Sequence, residues 1–182
     1  MSQAAIHHIR IAPRPAAALP RVADEDIAAD SSANLLLTGE HAQIHTLVRR
    51  IHDAGVRAGK PCVQVWARDL PGAPQTLVRY CSRLVKTADG GTMLVSGVDE
   101  MPAAVQHRFI DLVDDLHERL ALVAARVITS TTVSLYDLVI AGRFSAPLFY
   151  RLNTIHLMLP TNCARVAEHR QTDRMTGCRP SP

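Results

Sequence analysis

Apolar residues follow two patterns that alternate along the chain: short continuous runs, and segments in which they recur at steps of three and four residues. The second pattern predicts amphipathic helices at 41–53, at 77–85 and from Pro102 to about residue 120. Strands that alternate with helices predict a parallel sheet between two helical layers. The runs are too short and too apolar to have a solvated face, and we expect them to be buried strands: Asn34–Thr38, Cys62–Trp66, Met93–Val95, Leu122–Thr129 and Thr154–Pro160.

The third strand lies within the stretch DGGTMLVSGVDEMP at 89–102, which opens on a Gly-Gly turn and leads into a helix begun by Pro102. In nucleotide-hydrolysing α/β proteins, such a strand ends in acidic residues that hold Mg²⁺. Here Ser96 and Gly97 occupy those positions. Asp99 and Glu100 come three residues later, and we expect them to be helix-entry residues because negative charge is favoured at a helix N-terminus.

The first strand is followed by Gly39 and then by a helix, the context in which a phosphate-binding loop would lie. Such a loop needs glycines that turn successive N–H groups inward and a lysine for the phosphates. After Gly39 there is no glycine until Gly55 and no lysine until Lys60. A helix N-terminus attracts anions weakly, so the sequence leaves weak nucleotide binding open.

His41 and His45 stand four residues apart on the predicted helix, a spacing that can hold a metal ion. Two ligands make a weak site, and no carboxylate stands at the next helical step. We therefore interpret the pair as a hydrated polar edge and predict no metal site.

The chain has 182 residues, 47% of them hydrophobic and 4% aromatic, enough for one core packed mainly by aliphatic side chains. A net charge of +3 is too small to argue for nucleic acid, and we predict no direct DNA binding. The absence of a long apolar run, and of a signal-peptide core, predicts no membrane association and a cytoplasmic protein. Cys62 and Cys81 fall in apolar patterns and are predicted to be reduced core residues.

Three blocks of the sequence resemble, in order and spacing, the AAA+ domain of bacterial sigma-54-dependent transcription activators. They are NLLLTGE at 34–40, the GGT strand with its Met-Pro at 90–102, and AGRFSAPLFYRLN at 141–153. The resemblance implies an α/β fold: a three-layer α/β/α core like that of P-loop NTPases, with a five-stranded parallel sheet in the order 5-1-4-3-2.

The resemblance is to a degenerate and truncated form of that domain. The loop by which the family contacts sigma-54 has no counterpart between Trp66 and Gly90, so contact with sigma-54 is doubtful. The helical lid that should follow Pro160 is largely missing. We expect an irregular lead-in at 1–32 with a short strand near Ile9, the degenerate AAA+ core at 33–160, and a polar tail at 161–182.

The resemblance also implies where vestigial functional residues stand. Thr132 replaces an asparagine that senses nucleotide in the family, and Ser145 replaces the first of two arginines that act on a neighbouring subunit. Arg151 preserves the second, either as an arginine finger in trans or, as we favour, in a local contact. The vestigial nucleotide-binding positions are Gly39, Glu40, His45, Ser96 and Thr132.

These observations predict a non-hydrolysing, sigma-54-activator-like AAA+ module that regulates bacterial transcription through a protein partner, either itself or an intact AAA+ activator. No catalytic residue is predicted, and the altered loop argues against ATP and Mg²⁺ as cofactors. The alternative is a nucleotide-binding AAA+ protein, with weak ATP binding or ATPase activity and an atypical phosphate loop.

Overall fold

A computed structural model describes residues 7–9, 23–118 and 125–160 of the chain. Six strands form one sheet in the order β1-β3-β4-β5-β2-β6. The last five in the chain are mutually parallel where they pair, and β1 joins antiparallel at the edge of β3. The strands are β1 His7–Ile9, β2 Leu35–Thr38, β3 Cys62–Trp66, β4 Thr92–Ser96, β5 Arg126–Thr131 and β6 Ile155–Met158.

The sheet lies between two layers of helices, because successive residues of its buried strands point to opposite faces. Helices α1 and α2 pack on the face that includes Leu35, Leu37 and Leu94, whereas α3 to α6 pack on the face that includes Val63 and Val95. The helices are α1 Ala23–Asp30, α2 His41–Ala54, α3 Pro74–Ala88, α4 Ala103–Glu118, α5 Leu135–Ile140 and α6 Ala146–Leu152.

This architecture confirms the predicted three-layer fold. The five predicted strands correspond to β2 to β6, and their observed order is the predicted 5-1-4-3-2. The strand near Ile9 is present as β1, which extends the sheet to six strands. Cys62 and Cys81 are buried free thiols, as their apolar surroundings indicated. Burial raises their pKa values to about 11 and about 12, respectively.

Two local expectations differ from the structure. Residues 23–30, within the stretch expected to be irregular, form α1, whose Ala28 is fully buried against α2. The fourth predicted strand begins later and ends later than expected, because Arg126 opens β5 and Thr131 ends it. The tail at 161–182, and with it the place of the lid, lies outside the described residues.

The Gly-Gly turn before β4 has a direct steric reason. A Cβ atom on Gly91 would lie 2.0 Å from the carbonyl oxygen of Pro61 and 2.8 Å from that of Ala88. The backbone of Pro61 also accepts a hydrogen bond from Thr92 N–H, which brings the start of β3 against the start of β4. Glycine is therefore required where α3 turns back into the sheet.

Candidate functional site at the carboxyl edge of the sheet

The connection between β2 and α2 consists of two residues, Gly39 and Glu40. Gly39 N–H already donates to Thr131 O at 3.1 Å, and a Cβ atom at Gly39 would meet Leu159 Cβ at 2.7 Å. Glu40 is exposed at the N-cap of α2 without a side-chain capping bond. A nest of several inward-facing N–H groups needs a longer, glycine-rich loop than these two residues provide.

The end of β4 holds a hydrogen-bonded hydroxyl in place of an acid. Ser96 is 2% exposed, and its Oγ accepts a hydrogen bond of 2.8 Å from Nε2 of Gln64 on β3. The chain then turns at Gly97, whose φ of 67° is a left-handed conformation that favours glycine. A neutral hydroxyl lacks the charge with which an acidic residue binds Mg²⁺ at this place in hydrolysing relatives of the fold.

Asp99 and Glu100 lie in a short 3-10 helix, Val98–Glu100, that precedes α4, so they stand near the helix entry as expected. Each also makes a specific contact. Asp99 Oδ1 accepts a hydrogen bond of 2.7 Å from Thr131 Oγ1 at the end of β5. Glu100 pairs with Arg68 at 3.2 Å. The acidic pair thus lies at the carboxyl edge of the sheet, held by side chains of two other segments.

Aromatic and cationic groups cover the neighbouring part of this edge. The His41 ring meets the Trp66 ring edge-on, with centroids 5.1 Å apart, and the Arg68 guanidinium lies over the same indole at 4.7 Å. Such a cation–π contact stabilises Arg68 in this position. The side chains stack where β3 and α2 meet, and those of His41 and Arg68 stay exposed to solvent.

The remaining predicted positions lie close to this edge but make fewer contacts with it. His45 is half-exposed one turn into α2, and Thr132 is exposed just beyond β5. The neighbouring Thr131 is fully buried and contacts Asp99, but it was not among the predicted positions. It lies one residue before the predicted Thr132, so a shift of one residue in the predicted strand end would have identified it. Across 7–9, 23–118 and 125–160, no group of three or more histidine, cysteine or acidic residues is arranged to hold a metal ion.

Arg151 lies in the last turn of α6 and pairs with Asp114 of α4. Its backbone oxygen accepts a hydrogen bond of 3.0 Å from Asn34 Nδ2, next to the start of β2. The side chain is half-exposed, so the local ion pair coexists with access from solvent. Action of Arg151 on a neighbouring subunit stays a prediction.

The segment between β3 and β4 is compact. It contains a 3-10 turn at Ala67–Asp69 and the single unbroken helix α3, whose Leu77, Cys81 and Leu84 are buried against the sheet. Every residue between the two strands is described, and none of them forms a second helix or an extended hairpin. No helix in the described ranges combines the length and the apolar character needed to cross a membrane.

A family model for the sigma-54 interaction domain matches residues 78–158, from α3 through β6. The segment from residue 78 to residue 158 belongs to the sigma-54 interaction domain family. Relatives extend the similarity toward the N-terminus. The acetoin catabolism regulatory protein of Cupriavidus necator is 33% identical over 161 residues, which cover 75% of this chain and 24% of that protein. Regulatory protein AtoC of Escherichia coli is 31% identical over 71% of this chain and 32% of its own length.

Solved structures show the same fold. NtrX from Brucella abortus, in a complex with ADP, superposes with a TM-score of 0.64 at 24% identity, covering 81% of this chain and 37% of that chain. The P-loop NTPase domain of a sigma-54 activator from E. coli superposes with a TM-score of 0.53 at 18% identity, covering 75% of this chain and 89% of that domain. The chain spans about a quarter to a third of the length of the curated relatives it matches.

Proposed function

We propose that this chain is a non-hydrolysing AAA+ module that acts in bacterial transcription control by binding a protein partner. The observation that carries the proposal is the buried Gln64–Ser96 hydrogen bond at the place of the Mg²⁺-binding acid. The two-residue β2–α2 connection adds support, since it leaves no room for a glycine-rich phosphate loop. Relatives with regulatory names, including the alginate biosynthesis transcriptional regulatory protein AlgB of Pseudomonas syringae, support a role in transcription control.

The partner we propose is an intact sigma-54 activator or a second copy of this chain. An exposed aromatic and aliphatic surface on α5 and α6 supports a protein partner. Tyr136, Ile140 and Tyr150 are 55%, 71% and 70% exposed, and both tyrosine rings contact Phe149. Grouped apolar side chains of this size are typical of interaction sites. Contact with sigma-54 itself is less favoured, because α3 and one 3-10 turn fill the β3–β4 connection.

The test is co-assembly with a full-length sigma-54 activator from the same bacterium, followed by light scattering and by phosphate release from ATP. We expect a mixed assembly and a fall in the activator's ATP turnover as this chain is added. The double variant Tyr136→Ser/Tyr150→Ser should weaken the association, whereas Val78→Ser, which removes an exposed side chain of α3, should not. A chain that stays monomeric alone and in the mixture would contradict the proposal.

The second candidate function is a nucleotide-binding AAA+ protein with an atypical loop, for which ATP and Mg²⁺ would be the cofactors. The observation that favours it is the pair of carboxylates, Asp99 and Glu100, at the carboxyl edge near the start of α2. Mg²⁺-dependent ATP turnover by the purified chain that Glu100→Gln abolishes would support this function. Turnover at the level of buffer, before and after the substitution, would eliminate the ATPase form of this function and leave nucleotide binding to be tested by titration.

A further inference from the structure

The opposite end of the sheet contains a pocket with several charged and polar residues that neither the family's chemistry nor the proposed function uses. It is formed where the C-terminal ends of α1 and α2 meet the first residues of β4 and β5. The residues with charged or polar side chains in its lining include Asp30, Ser31, His52, Arg57, Thr92 and Arg126.

The buried guanidinium of Arg126, with donors that have no partner in the described part of the chain, indicates that this pocket binds a ligand. Its side chain is placed by the parallel pairing of β4 with β5, which sets Arg126 beside Thr92 on the face covered by α2. The residue is 4% exposed, and its Nε and Nη2 atoms are buried without a hydrogen-bond partner among the described residues. A buried guanidinium with unused donors is unfavourable unless an anion or acceptor meets it.

The charges around Arg126 include a second guanidinium, that of Arg57. Burial and the neighbouring Arg57 guanidinium lower the pKa of Arg126 to about 10, so it is charged at neutral pH. Arg57 is half-buried, and its Nη1 donates to Gly90 O at 2.8 Å, which fixes its position. The opposing groups are the exposed Asp30 carboxylate and the carbonyl ends of α1 and α2, each equivalent to about half a negative charge.

The other polar groups of the pocket are either already bonded or able to donate. His52 uses both ring nitrogens, with Thr92 Oγ1 at 2.8 Å and Lys60 O at 2.9 Å. Ser31 Oγ accepts from Ala33 N–H at 3.0 Å, which leaves its own O–H available as a donor. The pocket therefore offers two guanidinium groups and a hydroxyl, the donor set of a small oxyanion site.

We propose that this pocket binds a small oxyanion, a phosphate or a carboxylate, held by Arg126 and Arg57 with Ser31 at its mouth. Binding there ties the C-terminal ends of α1 and α2 to the starts of two central strands. The ligand stabilises the folded state because the unfolded chain has no such site.

Thermal unfolding of the full chain tests the proposal, with sodium phosphate and sodium acetate titrated separately against sodium chloride at constant ionic strength. For a dissociation constant of about 1 mM, about 50 mM ligand should raise the Tm by roughly 5 °C. A shift with phosphate alone identifies a phosphate site, and a shift with acetate alone identifies a carboxylate site. No shift with either ligand would overturn the proposal.

Two variants assign any shift to the pocket. Arg126→Met removes the unpartnered charge and should abolish the ligand-dependent shift; because it keeps an apolar stem of similar length, the variant should still fold. Arg57→Gln, at a half-buried position, should weaken binding about tenfold and serves if Arg126→Met does not fold. Arg79→Gln removes an exposed arginine from α3 and should leave the shift unchanged. An undiminished shift in the Arg126 and Arg57 variants would contradict the assignment.

Discussion

Ser96 is the residue on which the proposed loss of hydrolysis depends most directly. The side chain lies at the end of a central strand, where a carboxylate would need a cation or several donors to balance its burial. Its hydroxyl instead receives one amide donor from Gln64, which is 7% exposed. Ser96 and Gln64 therefore form a neutral hydrogen-bonded pair that needs no cation.

We predict that Ser96→Ala lowers the free energy of unfolding by about 1–3 kcal/mol, because it leaves the buried Gln64 amide without its acceptor. The double variant Gln64→Met/Ser96→Ala should recover most of that loss, since both partners are then apolar. Urea unfolding of the wild type, both single variants and the double variant measures this cycle. Strictly additive losses would show that the hydrogen bond does not couple the two residues.

Gly91 gives a second prediction, based on the carbonyl oxygens that surround it. Gly91→Ala should lower the free energy of unfolding by about 2 kcal/mol or more, because a Cβ atom there would lie 2.0 Å from Pro61 O. Gly72→Ala is the matched control, since a Cβ atom at Gly72 would have open space. Its effect should stay within about 1 kcal/mol. Equal losses in the two variants, measured by urea unfolding, would rule out the steric explanation.

Residue identities could be predicted best where they reflect backbone geometry and worst where they depend on partners from distant segments. The Gly-Gly turn, the two buried cysteines and the position of Ser96 at a strand end were all predictable. The bond between Asp99 and Thr131 was not, because it joins residues 32 positions apart through a strand register that periodicity does not fix. Arg126 falls in an apolar run and carries no sequence signal of its own.

At the scale of elements, α6 is attached to the rest of the core through both its apolar face and its last turn. Leu148 and Leu152 are fully buried against the other helices of that face. At the C-terminal end of α6, Arg151 pairs with Asp114 of α4, and its backbone oxygen accepts a hydrogen bond from the side-chain amide of Asn34. The buried leucines, rather than the exposed ion pair, should therefore determine the stability of this contact.

We predict that Arg151→Gln lowers the free energy of unfolding by less than about 1 kcal/mol, because Arg151 and Asp114 are 53% and 31% exposed. Asp114→Asn should have a similar effect, and the double variant should show little further loss.

The same Arg151→Gln variant, added to the activator assembly, separates the local role of Arg151 from action on a neighbouring subunit. Unchanged inhibition of ATP turnover would fit a local role, and lost inhibition would show that Arg151 acts on the neighbouring subunit.

Most helices and strands lie where the apolar periodicity predicted them. The exceptions are α1 and the start of β5, and each has a physical cause. The helix at 23–30 was missed because half of its sequence, ADEDIAAD, is acidic and three of its four apolar residues are small alanines, although Ala28 and Ala29 are buried. The late start of β5 was missed because LVAA, before Arg126, is as apolar as the strand itself. Short apolar runs leave the strand boundary ambiguous until a partner strand sets the register.

At the scale of the whole molecule, the parallel sheet separates two ends with different properties. The carboxyl end, where this fold places its ligands, is covered by the Trp66 stack and the Asp99–Thr131 contact. The amino end contains the pocket around Arg126. The fold was predictable because the strand order follows from the blocks shared with the family. Which end of the sheet has a pocket could be seen only in the three-dimensional structure.

The proposed loss of hydrolysis depends on a carboxyl edge that no longer holds nucleotide, and titration with a fluorescent ATP analogue, with and without Mg²⁺, tests that claim most directly. The titration is run in parallel on wild type and on Arg126→Met, so that phosphate binding at the amino end is recognised by its loss in the variant. We predict no Mg²⁺-dependent binding and no binding by Arg126→Met up to millimolar nucleotide. Micromolar, Mg²⁺-dependent binding that persists in Arg126→Met would contradict the account and identify the chain as a nucleotide-responsive AAA+ protein.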